Sequence, residues 1–343
     1  MLDYKKTGTF LASKRKQAQM TQADVAQKLG VSFQSVSKWE NGTLPFPEIP
    51  HPVLVLKSEE PGSKQKLAME YGYSESICHD MINHLVNDIM VMGARPLAVL
   101  DTIVCGSAEK ETIKSFIKGI SDACRENGCS LVGGETSIQP QVVEKGVYVL
   151  TSSIAGIISK DKVIDGSGIT EGDTVLAVAS NGLHTNGYSL VRMLMDQMPQ
   201  IKLEKIDGET FIEQIMKPHT PYRNAIGNLL ECPGIHGMAH ITGGGIQGNL
   251  CRILPDGLYA DIDLSKIKTL PIFRYIQRIG NIDEAEMLST FNCGVGLIVV
   301  VSERYAEQAI RNIAKYHDCY EIGRIRKGSG KVLFRNSVNW ESL

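Results

Sequence analysis

One stretch of the chain, SESICHDMINHLVNDIMVMGARP, carries side chains whose types and spacing could do chemistry. Asp80 and Asn87 stand seven residues apart, so on a helix they leave the same face, with His84 between them and Asp88 beside them. Met81, Ile82, Leu85, Ile89 and Met92 would cover the opposite side. Carboxylates and a carboxamide so arranged suit Mg²⁺, a hard ion that takes a few protein oxygens and completes its shell with water and substrate phosphate. The plainer alternative is an amphipathic helix with a wet polar stripe, and spacing alone does not separate the two.

Upstream, Glu59, Glu60, Pro61, Gly62, Ser63 and Lys64 form a glycine-containing turn that leads into a helical pattern. Unpaired amides and an ammonium at a helix start can hold a phosphate, although the spacing is not that of a Walker A loop and a charged surface turn reads the same way. Three further glycine loops follow apolar runs: LVGGETS with Gly133, Gly134 and Glu135, SNGLHTNGYSLVR, and HITGGGIQGN. Amides of such loops can converge on anions. Gly182, His184, Thr185, Asn186, Ser189 and Arg192 add donors suited to a phosphate, and His240, Thr242, Gly243, Gly244 and Gly245 line the third loop. A lone His184 or His240 is more often a satisfied structural histidine.

These loops need a scaffold. From Val53 onwards, strand-like runs at 53–56, 97–104, 148–158, 175–179, 259–264, 294–301 and 319–325 alternate with helical patterns, among them 78–92 and 110–127. This predicts an α/β (α+β) body of two domains, 50–168 and 169–343, divided within the polar stretch 165–173. At 343 residues, with 43% apolar and 22% charged residues and a net charge of -2, disorder is excluded. No apolar run approaches a membrane span and the first residues lack a secretory pattern, so a cytoplasmic protein with no membrane partner is expected. The eight cysteines are scattered, which predicts buried free thiols rather than a disulfide or zinc framework.

Residues 1–49 differ from the body in carrying a net positive charge. Within 9–43, Thr21 and Asp24 make a capping-box-like start, Val25 and Leu29 share a face, Gly30 suits a helix end, and Ser32 can cap a further helix on which Val36 and Trp39 turn inward. The segment TQADVAQKLGVSFQSVSKWENG resembles repressor-type helix-turn-helix proteins. That likeness implies a short all-α module with Gln22, Gln34, Ser35 and Lys38 as candidate DNA contacts. Pro45, Pro47, Pro50 and Pro52 would stop it before any further helix.

The body resembles the phosphoribosylformylglycinamidine cyclo-ligase (aminoimidazole ribonucleotide synthetase) family from about Leu54 to Arg335, through VNDIMVMGARPLAVLD, CSLVGGETS, DKVIDGSGITEGD, SNGLHTNGYSLVR, GMAHITGGGIQGNLCRILP and EMLSTFNCGVG. The resemblance implies a two-domain synthetase-like fold, a homodimer through the first domain's sheet, ATP between the domains, and ATP-driven closure of formylglycinamidine ribonucleotide to the aminoimidazole through an iminophosphate. Carried over by motif, Glu59, Gly62, Ser63, Lys64, Asp80, Asn87, Asp88, Gly133, Gly134 and Glu135 would bind ATP, with Asp80, Asp88 and Glu135 on Mg²⁺. Gly182, His184, Thr185, Asn186, Ser189, Arg192, Thr242, Gly243, Gly244, Gly245 and Asn292 would meet the substrate, and Lys64, His184 and His240 would serve catalysis. The family's first motif ordinarily reads aspartate, glycine, valine, glycine, threonine, lysine, so Glu60 stands where a glycine is expected. Two readings stay open at this point: an active cyclo-ligase with an appended helical module, or a DNA-binding regulator whose synthetase-like body senses a purine intermediate or nucleotide.

Overall fold

The computed structural model describes residues 4–29, 32–42, 49, 51–328 and 332–341. Gly30, Pro45, Pro47 and Pro50, expected to punctuate the helical module, lie outside the described residues. Packing divides the chain into two units, Met1–Val53 with Ile158–Asp161, and Leu54–Ile157 with Lys162–Leu343. The two halves expected on either side of residue 168 thus pack as one unit.

In the first unit, α1 (Tyr4–Gln17), α2 (Gln22–Leu29) and α3 (Phe33–Glu40) follow the expected pattern. The capping box forms, with Thr21 N donating to Asp24 Oδ2 at 2.7 Å and Asp24 N to Thr21 Oγ1 at 3.1 Å. Ser32 caps α3 through Ser35 N at 3.1 Å. Val36 is buried and Trp39 half-buried, as their spacing requires. Arg15 grips Glu40 with two donors, at 2.5 and 2.9 Å, and Gln22 adds a third at 2.8 Å. Gly8 lets α1 approach the end of α3, since a Cβ there would lie 2.6 Å from the Trp39 and Glu40 carbonyl oxygens.

The second unit is built on two sheets. In the first, β1 (Pro52–Glu59), α4 (Lys64–Glu70), α5 (Ser76–Met90), β2 (Arg95–Cys105), α6 (Lys110–Glu126), β3 (Ser130–Ile138) and β4 (Tyr148–Ser159) follow in chain order. The strand order is β1-β4-β2-β3, with β2 antiparallel to β4 and parallel to β3. After β5 (Thr174–Ala179) come α7 (Tyr188–Gln197), the short ribbon β6 (Lys205–Ile206) and β7 (Glu209–Thr210), α8 (Phe211–Ile215) and α9 (Arg223–Leu229). Then follow β8 (Ile235–His240), α10 (Gly245–Leu250), β9 (Leu258–Asp263), α11 (Pro271–Gly280), α12 (Glu284–Thr290), β10 (Val295–Val301), α13 (Ala306–Ile313), β11 (Cys319–Lys327) and β12 (Val332–Arg335). The second sheet has the order β12-β9-β11-β5-β10-β8. Between β5 and the edge strand β8 lies β10, whose run VGLIVVV is buried on both faces, as a continuous apolar strand must be.

GGETS proves to be strand rather than loop. Gly133, Gly134 and Glu135 pair with Leu100, Asp101 and Thr102 along β3, and a Cβ on Gly134 would sit 2.1 Å from Asp101 Oδ1. Six cysteines are buried, Cys129 is half-buried and Cys251 exposed, and all are free thiols. Among the described residues no helix is long and apolar enough to cross a membrane.

Gly8→Leu should force α1 off α3 at a cost of about 1–3 kcal/mol. Hydrogen exchange would read this as lost protection of the α1 and α3 amides with those of β10 unchanged; unchanged α1 protection would contradict the close approach.

Candidate functional site

The polar face of α5 is not wet. Asp80, Asn83, His84 and Asn87 are all buried on it, and each is spent on a partner outside the helix. Lys64, the first residue of α4, is fully buried and lies 2.8 Å from both Asp80 oxygens. It also donates to the His184 carbonyl at 3.1 Å and the Lys217 carbonyl at 2.7 Å, which uses all three of its hydrogens. Asp80 further accepts from His219 N at 2.8 Å. Burial pushes the Asp80 carboxyl up, to about 6, and the Lys64 ammonium down, while the contact between them opposes both shifts. Asn87 donates to the Thr220 carbonyl at 2.9 Å and accepts from Tyr222 N at 3.0 Å, and Asn83 donates to the His219 carbonyl at 2.7 Å. These bonds clamp the segment 217–222 onto α5.

Above this clamp four imidazoles meet. The His219 ring stacks on His184 with centroids 3.9 Å apart and stands 4.8 Å from His240 and 5.2 Å from His84. His240, the last residue of β8, places Nδ1 2.6 Å from Asp88 Oδ1 and Nε2 2.7 Å from His219 Nε2. Burial, together with the neighbouring His240, pushes His84 down to about 4. Burial also holds His184 and His219 well below the ordinary histidine value. Burial opposes ionisation of Asp88, but the hydrogen bond from His240 and the nearby cations hold its carboxyl well below the usual range.

His84, Asp88 and His240 open onto a cleft of about 550 Å³ whose other walls include Lys57, Glu59, Asn186, Thr242, Gly243 and Arg252. Lys57 Nζ lies between two carboxylates, 3.0 Å from Glu59 Oε2 and 3.1 Å from Asp88 Oδ2. Asn249 ties the glycine loop down by donating to the carbonyls of Thr242, Gly243 and Gly245. Gly245 at φ +59° is packed so tightly that a Cβ would overlap the Leu288 carbonyl oxygen.

Of the residues singled out in the sequence, Glu59, Asp88, Asn186, His240, Thr242 and Gly243 gather on this cleft. Lys64 and Asp80 do not line it: each is the other's ion-pair partner, and both are fully buried. Asn87 is likewise consumed by the 217–222 segment. His184 is fully buried, its Nε2 3.0 Å from Thr220 Oγ1, so it holds the loop rather than facing the cleft. Asn292 is a second clamp, accepting from Ser180 Oγ and Gly294 N and donating to the Gly182 carbonyl, each at 2.9 Å. Thr185 Oγ1 sits 3.3 Å from His84 Nδ1, and Gly62 packs against the Thr185 carbonyl. Gly244 caps α10, whereas Ser63 makes no side-chain cap bond at α4. Ser189 is exposed and Arg192 half-buried on α7. Gly133, Gly134 and Glu135 lie exposed on edge strand β3, and among the described residues Asp80, Asp88 and Glu135 do not form a carboxylate cluster. The sequence reading missed Lys57, His219, Asn249 and Arg252. In the helical module Gln34 and Lys38 are exposed, while Gln22 is held by Glu40 and Ser35 Oγ by Ser32 Oγ at 2.9 Å.

A family described as AIR synthase related protein matches in two parts, its N-terminal domain at 54–158 and its C-terminal domain at 170–336, and a helix-turn-helix family matches 11–47. The chain is 41% identical over 294 residues to phosphoribosylformylglycinamidine cyclo-ligase of Bacillus cytotoxicus, covering 84% of each. It is 42% identical over 286 residues to the enzyme of that name from Methylobacillus flagellatus, covering 82% of each. Among solved structures, E. coli HypE, a hydrogenase maturation protein, superposes with a TM-score of 0.60 at 20% identity, over 84% of this chain and 83% of that one. Thiamine-monophosphate kinase from Stenotrophomonas maltophilia gives 0.60 at 17%, over 84% and 87%, and both show likeness of fold.

Neutral buried imidazoles have a pH signature. His84, His184 and His219 bind protons more tightly unfolded than folded, so the stability they contribute is complete above the ordinary histidine value and is lost as pH falls from about 6.5 towards 4. Chemical denaturation across that window should show a loss approaching ~1.4 kcal/mol per pH unit for each histidine. His219→Gln should flatten the slope; a flat profile in the unaltered protein would contradict neutral burial.

Proposed function

The chain belongs to the phosphoribosylformylglycinamidine cyclo-ligase family, and on that premise we propose that it closes formylglycinamidine ribonucleotide to aminoimidazole ribonucleotide at the expense of ATP. The observation that carries this reading is the cleft walled by Glu59, Asp88, Asn186, His240, Thr242 and Gly243, where motifs distant in sequence supply one concave site. In this reaction ATP phosphorylates the formyl oxygen, the amidine nitrogen attacks the resulting iminophosphate carbon, and phosphate leaves. Such chemistry asks a protein mainly to position two reactants, neutralise the transferring phosphoryl group and keep water out.

The cleft residues suit those tasks. Lys57 and Arg252 bring positive charge to its wall, and Asn186 offers an amide within reach of Gly243. Asp88 and His240 fix each other, so the imidazole presents a constant face. Glu60, the departure expected to repel triphosphate, is exposed and is not among the lining residues. Glu59 and Asp88 are hard oxygen donors whose facing oxygens already share one cation, the Lys57 ammonium, and this donor pair fits Mg²⁺. With Lys57 withdrawn, those two carboxylates would hold the ion, which supplies charge neutralisation on the nucleotide phosphates.

The homodimer inferred from the family is supported by the first sheet's outer face, where Leu54, Leu56, Leu100 and Val132 are each more than half exposed. A cytoplasmic location accompanies a purine-pathway reading. A second reading rests on the helix-turn-helix match at 11–47 together with exposed Gln34 and Lys38: the first unit binds DNA.

Arg252→Met should raise the KM for formylglycinamidine ribonucleotide or ATP about 10- to 100-fold, the value of a charge-assisted hydrogen bond, with the melting temperature unchanged. Unaltered KM values would remove Arg252 from the site. For the second reading, a DNA fragment should bind with an affinity that falls as salt rises, and Lys38→Ala should weaken it and reduce the salt slope by about one. Salt-insensitive or absent binding would reject DNA as a partner.

A further inference from the structure

Four of the chain's eight histidines, His84, His184, His219 and His240, form one chain of ring contacts. Burying imidazoles is costly unless each nitrogen finds a partner. Two do not: His184 Nδ1 and His219 Nδ1 are buried with no hydrogen bond. The hydrogen count of the cluster is then informative. His240 Nδ1 faces a carboxylate oxygen of Asp88 and so carries a hydrogen, which in the neutral ring leaves Nε2 as an inward lone pair. His219 Nε2 lies 2.7 Å from that lone pair, so a single hydrogen separates two imidazoles aimed at each other. One donor atom from each of His184, His219 and His240 lies within 4.8 Å of the others, and all three residues are buried.

We propose that His184, His219 and His240 form a binding site for a transition-metal ion of the Zn²⁺ or Co²⁺ class, with Asp88 standing behind His240 as its orienting carboxylate. Neutral imidazole is the ligand these ions favour, and His184 and His219 each carry a buried nitrogen with no partner. The Asp88–His240 contact reproduces the carboxylate–histidine–metal relay that fixes ring orientation and raises ligand basicity. Metal–nitrogen bonds of about 2.0–2.1 Å put two ligands of a tetrahedral ion roughly 3.3 Å apart, so the His219–His240 pair must open by about 0.6 Å. Ligation through His219 Nε2 moves its hydrogen to Nδ1, so no proton leaves the ring. His184, stacked on His219, supplies the third nitrogen, and an ion reaches the cluster from the cleft past His240. The site shares Asp88 with the Glu59–Asp88 oxygen pair, which suits Mg²⁺, but through its other oxygen, Oδ1, and it does not depend on the cyclo-ligase reading.

The test uses the full chain freed of metal with a chelator and titrated with Co²⁺. One equivalent per chain should bind, with visible d–d bands of a nitrogen-ligated ion that Zn²⁺ abolishes, and Zn²⁺ should raise the melting temperature. His219→Gln and His184→Gln should each weaken Co²⁺ binding more than about 100-fold, and Asp88→Asn about 10-fold, as loss of an orienting carboxylate does. His79→Gln, at a half-buried histidine of α5 paired with Glu126, should leave the spectrum unchanged. Circular dichroism of each metal-free variant reports its fold, and either folded histidine variant suffices to locate the ion. The absence of stoichiometric Co²⁺ binding by the unaltered chain would overturn the proposal, as would a spectrum retained in a folded His219→Gln or His184→Gln protein.

Discussion

The buried pair of Lys64 and Asp80 is the interaction on which the rest of the second unit's site depends. Two charges removed from water repay their desolvation only through close geometry and added hydrogen bonds. Here the ammonium reaches Asp80 and two carbonyls and Asp80 Oδ1 takes the His219 amide, while Asp80 Oδ2 has the ammonium 2.8 Å away and no hydrogen bond. Because those carbonyls belong to His184 and Lys217, the pair pins the SNGLHTNG loop and the 217–222 segment to α4 and α5 at once. Removing one partner would leave the other charged and buried, at a cost of about 3–5 kcal/mol. The histidine cluster and the floor of the cleft inherit their positions from this anchor.

A division of labour among the polar residues follows. Asn83, Asn87 and Asn292 are used up in holding segments together. Those one layer out, Glu59, Asp88, Asn186, His240 and Arg252, keep atoms directed at the cleft. Reactant-facing groups are therefore held by neighbours that take no part in the chemistry, the condition under which positioning and fixed charge accelerate a reaction. Lys57 is poised between the layers, a tethered cation between two carboxylates that substrate phosphates or a metal ion would compete to displace or join.

Much of the architecture was legible in the chain. Apolar runs announced β2, β4, β5, β10 and β11, and the heptad-like face of α5 and the Thr21 and Ser32 caps are found as expected, because local periodicity and capping follow from short-range sterics. The β3 strand was misread because Gly133 and Gly134 carry no side-chain pattern. The site was only half legible. Spacing shows that Asp80 and Asn87 share a helical face, but not whether that face meets water or a second segment 130 or more residues away. Asn249 and Arg252 lie inside the HITGGGIQGNLCR stretch but carry no spacing that marks them out singly, Lys57 and His219 lie in stretches without a local signal, and only the tertiary packing gives all four a role.

The most direct test of the cyclo-ligase account follows one oxygen atom. Formylglycinamidine ribonucleotide labelled with ¹⁸O at the formyl oxygen is incubated with the purified full chain, ATP and Mg²⁺, and the inorganic phosphate released is analysed by mass spectrometry. The account predicts one labelled oxygen in each phosphate, in step with aminoimidazole ribonucleotide and ADP. Absence of product, or product accompanied by unlabelled phosphate, would contradict it.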